Sequence, residues 1–348
     1  MTTPVRKLAH LLYNPHSGSA IAPEWWVGKI VHKLCSANFQ VTATATWAGI
    51  ETQDVLDLLK DGSELLIAAG GDGTIRMALE AASLAPERIP VGIVPVGTGN
   101  QLARNLGLYE DNILSDPIDK AVDTLIEGKQ FAMDLGVMNG HRFAVSAGVG
   151  PMSDAILMPQ HIDKVNWRML AYAGSLVQTI TQPPLLIRVT ADDEAPFNVA
   201  ASGIFVTNIS DLGIGLLSES ARLDDGILDL CVLAPQEFHD YLEMGFRFAG
   251  GMADTQPAPY YVRKVRKVTL EVVPVSRHSS ILNKTWRRVK NSFGVYEKPP
   301  LLLNKEATAM IDGDACGTTP MHIEVAPHAV SIMVPQNFTV SKHEIAVA

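Results

Sequence analysis

The sequence predicts an α/β domain built on a parallel sheet, followed by a mostly antiparallel β domain. Three observations carry that prediction. The first third of the chain alternates short apolar runs with helical patterns. From Phe131 to about Pro335, strand-like runs follow one another between Gly, Asn, Asp and Pro. The 348 residues are 47% hydrophobic and 19% charged, which supplies sizeable cores and excludes a mainly disordered chain. We place the first domain at residues 1–132, joined by the C-terminal segment 336–348, and the second at 133–335.

In chain order, Lys7–Tyr13 reads as a strand, Pro23–Ala37 as a helix and Gln40–Thr46 as a strand. Val55–Leu59 belongs to a helix, Glu64–Ala69 is a buried strand, and Ile75–Ala85 is a helix. Pro90–Pro95 is a strand, and a helix begins at Ala103. Apolar strands alternating with helices are those of a parallel sheet covered on both faces. The second part offers strands at Phe131–Leu135, Arg142–Ala147, Pro184–Ala191, Ala200–Asn208 and Leu228–Leu233. Further strands are Lys267–Val273, Thr308–Ile311, Met321–Val325 and Val330–Val334. Helices at Asp163–Thr181 and Gln236–Gly250 interrupt the series.

The strongest local signal is the apolar run from Glu64 into Gly70-Gly71-Asp72-Gly73-Thr74, followed by a helix. A strand entering a glycine turn and then a helix gathers free backbone N–H groups at one point, which suits phosphate. Read blandly, it is a plain strand-to-helix connection. Asp72 would repel a phosphate, so its place there is through Mg²⁺ or water. A second loop, Pro95-Val96-Gly97-Thr98-Gly99-Asn100, follows another apolar strand, and Asn14-Pro15-His16-Ser17-Gly18-Ser19 follows the first. Ligands bind where such loops converge at the carboxyl edge of an open α/β sheet. Three of them at one edge point to a nucleotide.

Charge is unevenly placed. The formal net charge is −9, yet the stretch from Tyr260 to Pro300 is +8, leaving −17 elsewhere. Within it, Arg277, Arg287, Arg288 and Lys290 alternate with Ile281, Leu282, Trp286, Phe293 and Tyr296. Basic residues interleaved with apolar ones match a membrane-docking segment; the bland reading is a solvated strand pair. The acidic balance elsewhere argues against nucleic acid. Cys35, Cys231 and Cys316 form no CxxC pair, which excludes a disulfide framework and suits a reducing compartment. The ten histidines show no HxxxH or HExxH spacing, so zinc is not indicated. No apolar run reaches the ~20 residues of a membrane span. A cytoplasmic, peripherally membrane-associated protein is expected.

Taken in order and spacing, Asn14-Pro15-His16-Ser17-Gly18, Gly70-Gly71-Asp72-Gly73-Thr74 and Gly97-Thr98-Gly99-Asn100 resemble the diacylglycerol kinase catalytic domain family. That family includes bacterial lipid kinases and sphingosine kinases and is distantly related to phosphofructokinases. Later matches are Asp134-Leu135-Gly136, the Asp225-Gly226-Ile227-Leu228-Asp229 turn and Asp312-Gly313-Asp314. The resemblance implies a phosphofructokinase-like nucleotide site. ATP would be met by Asn14, Pro15, His16, Ser17, Gly18, Thr46, Gly70, Gly71, Asp72, Gly73, Thr74, Ile75, Arg76, Met77, Gly97, Thr98 and Asn100. It implies Mg²⁺ on the Asp225 side chain and the carbonyls of Arg222 and Ile227, with Asp134 reached through water. It implies Asp314 as the base that takes the acceptor's proton, with Asp312 and Asp72 as further catalytic carboxylates.

Three departures stand out. The late motif ends in Asp314 where the family carries Glu. Gln101 replaces the family's Asp, and Arg76-Met77 replace its Asn-Glu. The expected function is ATP- and Mg²⁺-dependent phosphorylation of a hydroxyl on a membrane lipid, diacylglycerol or a relative such as a sphingoid base. Anionic lipid would be met through Arg263–Lys298, and a homodimer is compatible with the sequence. The alternatives left open are a degenerate nucleotide- or lipid-binding regulator and a soluble-substrate kinase related to NAD kinases.

Overall fold

The computed structural model describes residues 6–18, 22–109, 116–151, 184–212, 218, 221–235, 240, 260–274 and 306–340. The expected helix over 163–181, all of 236–250 but Asp240, and the basic stretch 277–298 lie outside the described residues.

The first sheet begins as four parallel strands in the order β2-β1-β3-β4: β1 Lys7–Tyr13, β2 Phe39–Ala45, β3 Leu65–Gly70 and β4 Val91–Pro95. Every residue of β3 and β4 is buried, as central parallel strands require. Helix α1, Pro23–Ser36, starts on a proline at its first turn and buries Trp26, Ile30 and Leu34, one stripe at four-residue spacing. Helix α5, Pro117–Glu127, is capped by Asp116, whose side chain accepts the Ile118 N–H. Lys29 and Lys33 on α1 reach Asp116, Asp119 and Asp123 beside and on α5 at 2.5–3.0 Å, tying the two helices together over one face. Helices α2, Thr52–Leu58, and α3, Asp72–Leu84, contribute Val55, Ile75, Leu79 and Ala82 to a core on the other face.

The sheet does not end at β4. The long strand β16, Met321–Val334, runs parallel to β4 through Ile332 and antiparallel to β5, Lys129–Met138. Its first half pairs with β13, Lys267–Val272, which leads to β8, Leu185–Ala191, and β9, Phe197–Ala201; β6, His141–Phe143, pairs with β5. The second sheet is antiparallel throughout, in the order β12-β11-β10-β7-β14-β15. These strands are β7 Ser146–Val149, β10 Gly203–Thr207, β11 Leu228–Leu233, β12 Tyr260–Val265, β14 Thr308–Ile311 and β15 Asp314–Thr318. One apolar core lies between the two sheets, around Phe143, Ile204, Leu230 and Ile323. A second runs unbroken from the α3 face to Phe205, Leu223, Tyr260 and Met310 of the second half.

The α/β part followed by antiparallel β strands agrees with the sequence reading. Several details differ. The two strands expected at Met321–Val325 and Val330–Val334 are one strand with a register shift between Ala326 and Val330, where Pro327 interrupts the ladder. The single strand expected over Ala200–Asn208 is split at Ser202, and Arg142–Ala147 is split between β6 and β7. The helix after the second glycine loop, α4 Gln101–Asn105, starts two residues before Ala103.

Candidate active site

The carboxyl ends of β2, β1, β3 and β4 are laced together by backbone bonds. Thr46 N–H donates to Tyr13 at 2.8 Å, Asn14 to Ala69 at 2.9 Å and Val96 to Gly70 at 3.2 Å. The glycine loops and Thr46 therefore stand side by side on one edge, where open α/β sheets bind ligands. In the first loop, Asn14 Oδ1 accepts the His16 N–H at 2.9 Å and its carbonyl accepts Ser17 N–H at 3.1 Å, a tight turn past Pro15. Gly18 follows at φ +84, within reach of the Val96 carbonyl.

The Gly70–Thr74 and Gly97–Asn100 loops touch through glycine. A Cβ placed on Gly97 would lie 2.4 Å from the Gly71 Cα, so Gly97 has no room for a side chain, whereas a Cβ on Gly71 would make only ordinary contact at 3.6 Å. Asp72 joins them: its Oδ1 accepts the Gln101 N–H at 2.9 Å, and the N–H groups of Asn100 and Leu102 face the same carboxylate. Burial pushes its carboxyl above the ordinary value, against the pull of those N–H groups. The carboxylate is thus occupied with the start of α4. Thr74 and Ile75 are buried under the loop, and Gly70 packs against the Thr74 side chain. Asn100 is fully buried in a left-handed conformation and donates to the Gly97 carbonyl at 2.8 Å. Met77 packs against the core beneath α3. Gln101 does what an aspartate could not: its Nε2 donates to the Leu212 carbonyl at 3.0 Å, tying the nucleotide loop to the segment after β10.

The Asp312-Gly313-Asp314 turn arrives from the second sheet between β14 and β15. Asp312 is buried, with Oδ2 accepting Ala144 N–H and Oδ1 accepting Val145 and Ser146 N–H, each at 2.9 Å. Burial pushes its carboxyl up to about 6, with those N–H bonds pulling the other way. Its oxygens are spent, so it positions the turn, while Asp314 remains half-exposed at the turn's end. Asp314 Oδ2 sits 3.4 Å from Arg76 Nη2 and within 3.6 Å of where a Gly73 side chain would begin. Asp314 from the second sheet and Gly73 from the nucleotide loop therefore face each other.

The third group lies at the β16 irregularity. Asp134 is fully buried; its oxygens accept the N–H of Gly226 at 2.6 Å and of His328 at 2.7 Å, and its own N–H donates to Leu223 at 2.7 Å. It clamps the Arg222–Ile227 turn with both oxygens already used. Asp225 Oδ1 accepts Ile227 N–H at 3.2 Å and Oδ2 meets Lys264 at 3.3 Å, while Arg222 pairs with Asp224. One partly exposed carboxylate with the carbonyls of Arg222 and Ile227 is an all-oxygen donor set, which fits a hard cation such as Mg²⁺; Lys264 holds the same carboxylate in the structure. Of the basic residues foreseen for lipid contact, Arg263 is paired with Glu194, Lys264 with Asp225 and Lys267 with Asp193.

Sequence reasoning missed Glu80, which is buried and holds three elements: Oε1 accepts Arg142 N–H at 3.1 Å, Oε2 accepts the Thr52 hydroxyl at 3.0 Å, and Arg76 lies 4.0 Å away. Its signal was the four-residue spacing from Arg76 along α3.

Residues 8–138 match the family model described as "Diacylglycerol kinase catalytic domain". A diacylglycerol kinase of Bacillus subtilis is 28% identical, the alignment covering 68% of this chain and 77% of that protein. Those of Staphylococcus saprophyticus and Staphylococcus carnosus are 30% and 31% identical, with 66% of this chain and 73% of each relative covered. The crystal structure of a diacylglycerol kinase from Bacillus anthracis superposes with a TM-score of 0.65 at 18% identity over 97% of this chain and all of that one, a likeness of fold.

Proposed function

The chain belongs to the diacylglycerol kinase catalytic domain family, and from that premise we propose that it is a lipid kinase that transfers the γ-phosphoryl group of ATP to a hydroxyl of a membrane lipid, diacylglycerol or a close relative. The observation that carries the proposal is the meeting of Asp314 with the Gly73 turn: a half-exposed carboxylate from one sheet faces the phosphate-binding loop of the other.

Phosphoryl transfer needs positioned donors around the phosphates and a carboxylate beside the attacking hydroxyl. The loops Asn14–Gly18, Gly70–Thr74 and Gly97–Asn100 bring backbone N–H groups and small side chains to the phosphates, with Thr46 beside them. Asp314 accepts the proton of the lipid hydroxyl as that oxygen attacks. Asp72 and Asp312 hold the two loops and the turn in place through their N–H bonds. Mg²⁺, when bound, neutralises phosphate and carboxylate charge; Asp225 with the carbonyls of Arg222 and Ile227 would hold one such ion. Peripheral contact with anionic membrane through Arg263–Lys298 would bring the loops to their acceptor.

Asp314→Asn tests the reading. It keeps the shape of the turn and removes the base, so turnover should fall by about 100-fold or more while ATP binding by calorimetry stays near wild type. Full activity in that variant would overturn the assignment of Asp314.

A further inference from the structure

Arg76 occupies a position that neither the glycine loops nor the carboxylate turn explains. It sits on the first turns of α3, directly after the Gly70–Thr74 loop, and its guanidinium is largely buried. A guanidinium has five N–H donors in a rigid fork. Here its contacts are long and few: Nη2 to Asp314 Oδ2 at 3.4 Å and Nη1 to Glu80 Oε2 at 4.0 Å. Its Nε is buried with no hydrogen-bond partner among the described residues. An unpartnered buried donor on a cation is costly, and that cost falls away when an anion arrives. Glu80 cannot follow the guanidinium, because Arg142 N–H and the Thr52 hydroxyl hold its two oxygens. The guanidinium therefore has a fixed anchor behind it, an exposed carboxylate in front, and spare donors beside a phosphate-shaped loop.

We infer that Arg76 is a phosphoryl clamp: on nucleotide binding its fork engages the terminal phosphoryl group and loosens its hold on Asp314. This rests on the kinase reading above and deepens it by giving the guanidinium beside the Gly70–Thr74 loop a task at that same site. Planar bidentate recognition of phosphate is what arginine does and lysine does less well. In the transfer step the bond between phosphorus and the acceptor oxygen forms as the bond to the ADP oxygen breaks. The acceptor's proton goes to Asp314, and Arg76 bears on the equatorial oxygens of the moving group. While no nucleotide is present, the Arg76–Asp314 pair keeps each group's charge compensated.

The test compares wild type, Arg76→Ala and Arg76→Lys in two measurements. The first is calorimetric affinity for a non-transferable ATP analogue and for ADP, which differ in the terminal phosphoryl. The second is steady-state phosphorylation of diacylglycerol in mixed micelles, with and without added guanidinium ion. A clamp predicts that Arg76→Ala loses about tenfold or more of the preference for the analogue over ADP. It also predicts that turnover falls about 100-fold, with partial recovery on adding guanidinium and an intermediate value for Arg76→Lys. A preference and a turnover within twofold of wild type, or equal losses for analogue and ADP, would overturn it and leave Arg76 a strut between the sheets. Should Arg76→Ala melt too low to assay, Arg76→Lys decides by the same preference ratio. A wild type that phosphorylates no lipid would sink the kinase reading, while the analogue-to-ADP ratio would still decide on Arg76.

Discussion

Asp312 and Ser146 are bonded twice: the Ser146 N–H donates to Asp312 Oδ1 at 2.9 Å, and the Asp312 N–H donates to the Ser146 carbonyl at 2.9 Å. This reciprocal pair joins the β14–β15 turn to the start of β7 and fixes where Asp314 points.

Removing one acceptor from that pair has a predictable cost. Asp312→Asn turns an amide N–H₂ toward one of three backbone donors, leaving an N–H unpaired at about 1–3 kcal/mol. The carboxyl's value is raised to about 6 in the fold, above its unfolded value. Its stabilising contribution is therefore full below the unfolded value and is lost as pH rises through the folded one. Between about pH 4 and 6 the wild type's advantage over the variant should narrow, by about 1.4 kcal/mol per pH unit at most. Chemical denaturation of both proteins at several pH values checks this; a gap that widens with pH would contradict it.

The close approach of Gly71 and Gly97 predicts a sharp contrast between two alanine substitutions. Gly97→Ala places a Cβ 2.4 Å from backbone that cannot yield without separating the loops. It should lower stability by about 1–3 kcal/mol and abolish measurable ATP binding. Gly28→Ala, exposed on α1 with open space around the new Cβ, should raise stability by about 0.5–1 kcal/mol and leave ATP binding alone. Thermal melts and calorimetry on the two variants read both effects.

Membrane contact gives a third expectation. Because Arg263, Lys264 and Lys267 already face acidic partners, the lipid-directed charge should reside further along, at Arg287, Arg288 and Lys290. Neutralising these three should lower sedimentation with anionic vesicles at low salt, roughly 1 kcal/mol of binding per charge. Unchanged sedimentation would remove the basic segment from the account.

Much of the first half was legible because its signals are local. Leu65–Gly70 and Val91–Pro95 are unbroken apolar runs, and each ends in a glycine loop. Helix α5 was overlooked although Asp116-Pro117 is an ordinary start signal, with Ile118, Ala121, Val122 and Leu125 as its buried stripe. Strand β15 could not have been read: Asp-Ala-Cys-Gly-Thr is largely exposed and has no alternation, and only its pairing with β14 makes it a strand. The motif positions of the site were readable, but the tasks of their side chains were not. Asp72, Asp134 and Asp312 look like three acids available for chemistry, yet each is consumed by backbone N–H groups from distant segments. Those partners are set by tertiary contact, and no spacing in the chain announces them.

The most direct measurement is transfer of label from γ-labelled ATP, with Mg²⁺, to diacylglycerol, monoacylglycerol, sphingosine, ceramide and phosphatidylglycerol in mixed micelles, with NAD as the soluble control. A lipid kinase of this design puts label on a lipid, diacylglycerol first, and loses it in Asp314→Asn. Label on NAD alone, or none on any lipid from a protein that binds ATP, would contradict it.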